Sequence, residues 1–345
     1  MTKRVVIVGL GATGLAIAQS LLRRTDVEVV GVADKNPLTV GSDLGTLAGA
    51  GVCGVTIIDD LAELPAADLA VVATTSDLNQ VADTLLQLLE RSFNVLSICE
   101  ELAYPWISHP DVSRRLDETA KANGVTVLGS GANPGVLMDT LPLLLTTLTQ
   151  QVQRVVIRRR TNMSRYGAIL SKFGLGLTLE EFGEAQAAGN IIGHYGFGQA
   201  ISALGSGLGW TFDAIEVDKV APAIVSKIVR IGDHLTIDAG QISAVSHAAR
   251  GLRGGDALID LEIMFGFFDP SDPVSAGDDY RIVGTEQVIE LSSTVGFESF
   301  LSTIAAAVNA AMAVVDARPG LLSMGDLTPR AIAAKGTLFG QEVSR

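Results

Sequence analysis

Arg4-Val5-Val6-Ile7-Val8-Gly9-Leu10-Gly11-Ala12-Thr13-Gly14 decides how the first half of this chain is read. Val5 to Val8 is an unbroken β-branched run, the pattern of a strand buried on both faces. Glycines follow at once in Gly-x-Gly-x-x-Gly spacing, and Leu15 to Leu22 then reads as an apolar helix. Strand, glycine turn and helix in that order are the setting of a dinucleotide phosphate site. Gly9 permits the tight turn, Gly11 lets the backbone approach the phosphates, and Gly14 lets helix and strand pack; Ala12 and Thr13 lie on the same turn. The helix end adds unpaired N–H groups and the positive end of its dipole. The alternative is a strand-turn-helix whose glycines serve packing only.

Val27 to Ala33 reads as the second strand and ends at Asp34, where an acidic side chain bonds both ribose hydroxyls of a bound dinucleotide. A carboxylate there repels a 2′-phosphate, which favours NAD. Lys35 beside it would hold that phosphate if Asp34 turned aside, so NADP stays admissible; otherwise Lys35 is a solvated loop charge. At 345 residues the chain suits two domains, and 48% hydrophobic against 18% charged residues provides a large core. A net charge of −13 argues against binding nucleic acid or an anionic membrane. Cys53 and Cys99 are too few for a disulfide framework or a zinc site, and no histidine pair has metal-ligand spacing, so no metal is expected. No leader is visible, and the Ala-rich stretch Ile304 to Val315 is shorter than the ~20 residues of a membrane span. A reducing cytoplasm fits these features.

Strand and helix signals alternate to about residue 130, through strands at 55–58, 68–74, 94–98 and 125–129 and helices at 78–91 and 112–123. Such alternation predicts a Rossmann-type doubly wound parallel sheet. From residue 150 strand signals dominate, at 154–160, 235–237, 257–265 and 287–291, before a helix over 300–316. The reading is an α/β chain with a dinucleotide-binding domain at 1–135, completed by 297–345. Residues 136–296 form a second α+β domain on an open mixed sheet, for substrate binding and dimerisation.

Ligands of open α/β sheets sit at strand ends. Thr74 and Thr75 end one strand and would line the cofactor crevice, with Ser76 a candidate helix cap. The next ends in Cys99-Glu100-Glu101-Leu102-Ala103-Tyr104-Pro105-Trp106. A glutamate half-enclosed by Tyr104 and Trp106 would have a raised pKa and shuttle protons; in extended backbone only one of the pair faces the cleft. The competing reading is a solvated glutamate pair. Gly129 to Asp139 is a glycine-rich loop in which Pro134 can open a helix, or else an interdomain hinge. Arg158-Arg159-Arg160 alternates between strand faces, and His194, between glycines, is the one histidine in a ligand-like setting, though a structural role is the more frequent one.

Three of these segments together, Cys99-Glu100-Glu101-Leu102 with Tyr104-Pro105-Trp106, Asn133-Pro134-Gly135 with Met138-Asp139, and Gly193-His194 leading to Gly207-Leu208-Gly209-Trp210, resemble the 2,4-diaminopentanoate dehydrogenases and related native amine dehydrogenases. Their first domain is similar to that of dihydrodipicolinate reductase. The resemblance implies NAD(P)-dependent reductive amination of a ketone with ammonia, or oxidative deamination of a primary amine, by a homodimer. It implies that Glu100 or Glu101 orients ammonia, takes its proton and offsets the iminium charge. Asn133, Asn162 and His194 are further candidates for polar contacts to substrate, Asn133 also to the cofactor. A diamino acid would need a carboxylate clamp, for which the arginine run and Arg165 are available; apolar and aromatic neighbours suit a simple ketone equally. Two rivals remain: a silent NAD(P)-binding sensor, which needs no proton-transfer group, and a dihydrodipicolinate reductase-like enzyme, whose paired histidines and Pro-Ser-Gly-Thr loop have no counterpart here.

Overall fold

The computed structural model describes residues 2–167 and 169–331. Six strands and four helices open the chain: β1 (Lys3–Val8), α1 (Ala12–Leu22), β2 (Val27–Ala33), α2 (Leu44–Leu47), β3 (Ile57–Ile58), β4 (Leu69–Val72), α3 (Leu78–Glu90), β5 (Asn94–Ser97), α4 (Pro110–Ala122) and β6 (Thr126–Gly129). Next come α5 (Thr140–Thr146), β7 (Val152–Asn162), α6 (Ile169–Lys172), α7 (Leu179–Ala187), α8 (Phe197–Leu208), β8 (Ala214–Val217), β9 (Ala221–Val225), β10 (Arg230–Ile231) and β11 (Thr236–Ile237). The chain continues through β12 (Ile242–Arg253), β13 (Asp256–Gly266), β14 (Gly277–Gly284), β15 (Val288–Ser293), α9 (Ser299–Val315) and β16 (Gly320–Leu322).

The first sheet is wholly parallel, in the order β16-β6-β5-β4-β1-β2-β3. It is doubly wound, as the alternating signals required. Val5 and Ile7 of β1 pack beneath α1 and α9, while Val6 and Val8 face α3 and α4. Burial on both faces explains why this strand reads as a continuous apolar run. Ala307, Ala310 and Ala311 of α9 are fully buried, so the chain returns to cover the first sheet and adds β16 at its edge. The last fourteen residues of the segment expected to complete this unit, 332–345, lie outside the described residues.

The second sheet is mixed, in the order β15-β14-β7-β13-β12-β8, with β9 also on β12 and only the β7–β13 pair parallel. Its core face joins Val155, Ile157, Ile259, Leu261 and Ile282 to Phe197, Ile201 and Leu204 of α8. Three helices, α6 to α8, lie where the sequence suggested few. Glycines obscured α8: a Cβ at Gly205 would sit 2.4 Å from Phe212, and one at Gly207 would sit 2.7 Å from Leu143. Close packing therefore requires residues that weaken a helix signal. β14 was missed because Asp278 and Asp279 interrupt its apolar pattern; Arg159 and Arg160 of β7 neutralise them.

Two local expectations are corrected. Asp77, not Ser76, caps α3, accepting from the N–H groups of Asn79 and Gln80. Pro134 opens no helix: the Asn133–Pro134 peptide is cis, turns follow, and α5 begins at Thr140 behind its cap Asp139. No described helix is long and apolar enough to cross a membrane.

Candidate active site

Strand order reverses between β1 and β4, which puts a crevice at their carboxyl ends. The three glycines divide the work there. At Gly9, with φ +94°, a Cβ would lie 2.5 Å from the Ala73 carbonyl oxygen, and at Gly14 only 2.1 Å from that of Gly9. Both positions are closed by the protein's own packing. A Cβ on Gly11 meets no atom of the described residues within 4 Å, so among them the space in front of the α1 N-terminus is open. Packing alone accounts for Gly9 and Gly14 but not for Gly11, and a phosphate pair is what such a cradle fits.

A groove of about 420 Å³ runs from this turn past Asp34, Lys35 and Asp59. The Asp34 carboxylate accepts from the N–H of Leu10 and, at 2.6 Å, from that of Asn36, which locks it beside the glycine turn. Lys35 is exposed on the same groove. Thr74, Thr75 and Gly11 line both this groove and a larger cavity of about 540 Å³, joining the two; Ala12 and Thr13 line the larger one.

The larger cavity brings together Glu100 and Asn133 from one side with Arg159, Tyr166, His194 and Phe265 from the other. Glu100 is its only lining carboxylate among the described residues. Residues 100–103 form a 3-10 turn rather than extended backbone, so successive side chains diverge by about a third of a turn. Glu100 faces the cavity, whereas the Glu101 carboxylate turns to α3 and accepts from the Leu78 N–H at 2.8 Å.

Three expected contacts are displaced. Tyr104 and Trp106 pack on each other, ring centroids 4.7 Å apart, and line a separate cavity with Asp139, Arg318 and Asp326, so neither encloses a glutamate. The turn that separates Glu100 from Glu101 carries the aromatics away as well. Asn162 is exposed, and its side-chain oxygen accepts from the Ser164 N–H at 3.0 Å, outside the cavity. Arg159 alone of its run reaches the cavity, since strand alternation sends Arg158 and Arg160 to the opposite sheet face, where they pair with Asp260 and Asp279.

Arg159 is 1% exposed; its Nε and Nη2 donate to Asp278 at 3.1 and 3.4 Å, and Nη2 also to the Phe297 carbonyl. Its Nη1 has no hydrogen-bond partner among the described residues. His194 is held from two directions. Its backbone N–H donates to His247 Nδ1 at 2.8 Å, which leaves the His247 Nε2–H to donate to the Asp218 carbonyl at 2.9 Å. The ring approaches so closely that a Cβ on Gly193 would sit 2.2 Å from it. The Asn133 Nδ2 donates to His194 Nε2 at 3.2 Å, and Asn133 Oδ1 is buried with no partner among the described residues. Burial, the Arg159 guanidinium and His247 push the His194 pKa down to about 3, so its imidazole is neutral at working pH. Tyr166 donates its hydroxyl to Glu298, the cap of α9, and thereby ties the cavity wall to the first sheet's cover.

Thr303 carries no signal in the sequence, His247 reads as an unremarkable loop or strand histidine, and Tyr166 stands out only beside Arg165 after a strand. Thr303 accepts from the Ala132 N–H at 3.1 Å and fixes the loop that carries Asn133. His247 lies inside β12, Thr303 inside α9 and Tyr166 just past β7, and only tertiary contact brings them to the site. Among the described residues no cluster of His, Cys, Asp or Glu is arranged to hold a metal ion.

Residues 136–339 match the family model of the 2,4-diaminopentanoate dehydrogenase C-terminal domain, and residues 3–95 that of the dihydrodipicolinate reductase N-terminus. The chain is 32% identical to the 2,4-diaminopentanoate dehydrogenase of Acetoanaerobium sticklandii over 95% of its length and 94% of that protein's. Among solved structures, it is similar to an amine dehydrogenase from Mycobacterium smegmatis, with a TM-score of 0.80, 25% identity and coverage of 97% and 98% of the two chains. A dihydrodipicolinate reductase from a Paenisporosarcina species shares the fold, with a TM-score of 0.52 and 13% identity over 94% of this chain and 98% of that one.

Proposed function

Because the chain belongs to the 2,4-diaminopentanoate dehydrogenase family and is a nicotinamide-dependent oxidoreductase acting on amino compounds, we propose that it interconverts a ketone plus ammonia with a primary amine, using Glu100 to handle protons. One observation carries this reading: among the described residues a single carboxylate lines a cavity continuous with the dinucleotide groove. A reduced nicotinamide dinucleotide, held by the glycine turn and Asp34, would supply the hydride. Glu100 would hold ammonia, accept a proton as nitrogen adds to the carbonyl, return it to the carbinolamine hydroxyl as that group leaves as water, and offset the positive charge of the resulting iminium. In the reverse direction the same carboxylate would deprotonate the substrate's alkylammonium, freeing the nitrogen lone pair that drives hydride loss. A silent sensor has no use for a carboxylate so placed.

Asp34 supports a preference for NAD over NADP, because its fixed carboxylate stands on the groove wall where a 2′-phosphate would be repelled. Arg159 supports a substrate with an anionic end. Asp278 neutralises its charge, yet Nη1 stays free to donate into the cavity, and the neutral His194 and Phe265 leave it little competition. An amino or oxo acid such as 2,4-diaminopentanoate would place its carboxylate there. Replacing Arg159 by Lys keeps a cation for Asp278 but not the fork. Arg159→Lys is expected to raise KM for 2,4-diaminopentanoate by at least roughly tenfold while altering KM for 2-aminopentane less than about threefold. Equal effects on both amines would refute a clamp.

The face of the second sheet opposite its apolar core carries crossed ion pairs, Arg154–Asp260, Arg158–Glu262, Arg160–Asp279 and Arg281–Glu290. A second copy laid on this face would make the protein a homodimer, burying on the order of 1,600 Å² or more for a stable assembly. Light scattering at micromolar concentration is expected to give twice the 36.0 kDa chain mass; a monomeric mass contradicts it.

A further inference from the structure

We propose that Glu101 is a positioning residue that fixes the reactive orientation of Glu100, an inference that rests on the reading of Glu100 as the proton-handling group. The segment carrying both is one short 3-10 turn, and its N-cap, Cys99, makes no side-chain capping bond. Within the turn the Leu102 N–H reaches the Cys99 carbonyl at 3.0 Å. Short 3-10 turns have poor hydrogen-bond geometry, so a carboxylate mounted on one needs outside support to hold one direction.

That support converges on Glu101. The first N–H groups of a helix lack partners within it. In α3, Asp77 takes those of Asn79 and Gln80, and Glu101 Oε2 takes that of Leu78 at 2.8 Å. The Glu101 backbone N–H and the Cys99 thiol both donate to the Ser76 carbonyl, at 3.4 and 3.1 Å. On its other side Glu101 Oε2 lies 3.5 Å from His109 Nε2, at the cap of α4. His109 is in turn joined through Ser108 to Gln199 of α8. Ser76, to which the turn is laced, lines the same cavity as Glu100, as does its neighbour Thr75. One carboxylate therefore sets Glu100 relative to the cofactor-side wall. Glu101 itself lines a separate cavity of about 360 Å³ on the other side of His194, and does not line the one that holds Glu100.

Geometry rather than charge is what this role needs, and two variants separate them. Glu101→Gln keeps an oxygen at the same reach for the Leu78 N–H, whereas Glu101→Asp keeps the charge but is one methylene too short. The expected result is a kcat for Glu101→Gln within about threefold of the unmodified protein. For Glu101→Asp kcat should fall at least roughly tenfold, as for misplacement of a catalytic group by a fraction of an ångström. NADH affinity, read by fluorescence titration, should stay within twofold in both. Loss in Gln with retention in Asp would make the charge itself the requirement and overturn the proposal, as would wild-type kcat in both. Glu100→Gln, run alongside, tests the premise separately: full activity there removes it and the proposal together, whatever the Glu101 series gives.

Discussion

Glu100→Gln is expected to lower ammonia-dependent turnover by about 10²- to 10³-fold while leaving the NADH dissociation constant within about twofold. Glutamine fills the same volume, so the cavity keeps its shape. It accepts no proton and carries no charge to offset an iminium, and positioned acid–base groups typically contribute 10² to 10⁴ in rate. Cofactor affinity should survive because the groove past the glycine turn and Asp34 lacks Glu100. Steady-state rates at saturating ammonium, with binding followed independently, check both halves. A fall of less than tenfold would move the proton-handling role elsewhere. Glu101→Gln supplies the internal comparison, since only one of these neighbouring carboxylates faces the cavity.

Gly11→Val is expected to weaken NADH binding by at least about 100-fold with little change in the thermal midpoint of the cofactor-free protein. Gly11 has φ −59°, ordinary for any residue, and no atom of the described residues lies within 4 Å of an added Cβ. The protein thus has no steric objection of its own to a side chain. The valine methyls would instead fill the space at the α1 N-terminus, where backbone N–H groups and the helix dipole favour a phosphate. Gly14→Ala makes the opposite case: its Cβ meets the Gly9 carbonyl at 2.1 Å, so the fold itself should be destabilised. Titration of the unmodified protein with NADH and NADPH in the same series should show NADH binding more tightly, through Asp34. Undiminished binding by Gly11→Val would place the pyrophosphate elsewhere.

The first sheet was readable because local pattern and tertiary role coincide in it. Val5 to Val8 is buried on both faces, and three glycines sit where turn, cradle and packing each demand one. The second unit was less readable because its strands and helices carry their exceptions inside. Asp278 in β14 is legible as a strand residue only once Arg159 is known to face it, and the glycines of α8 only once Phe212 and Leu143 are seen against them. At the site, residue types were legible but directions were not. A single 3-10 turn separates Glu100 from Glu101 and swings Tyr104 and Trp106 into another cavity. No periodicity announces such a turn. The role of His247 was illegible for a related reason: it acts through the backbone of His194, from a strand fifty residues away.

Incubation with ¹⁵N-ammonium, NADH and a ketone panel that includes 2-amino-4-oxopentanoate tests the proposed chemistry most directly. NADH oxidation should depend on ammonium, with ¹⁵N recovered in a primary amine in proportion to the NADH consumed. NADH oxidation without ammonium and without ¹⁵N in the product would make the protein a carbonyl reductase instead. Tight NADH binding with no turnover across the panel would contradict the proposed reaction outright.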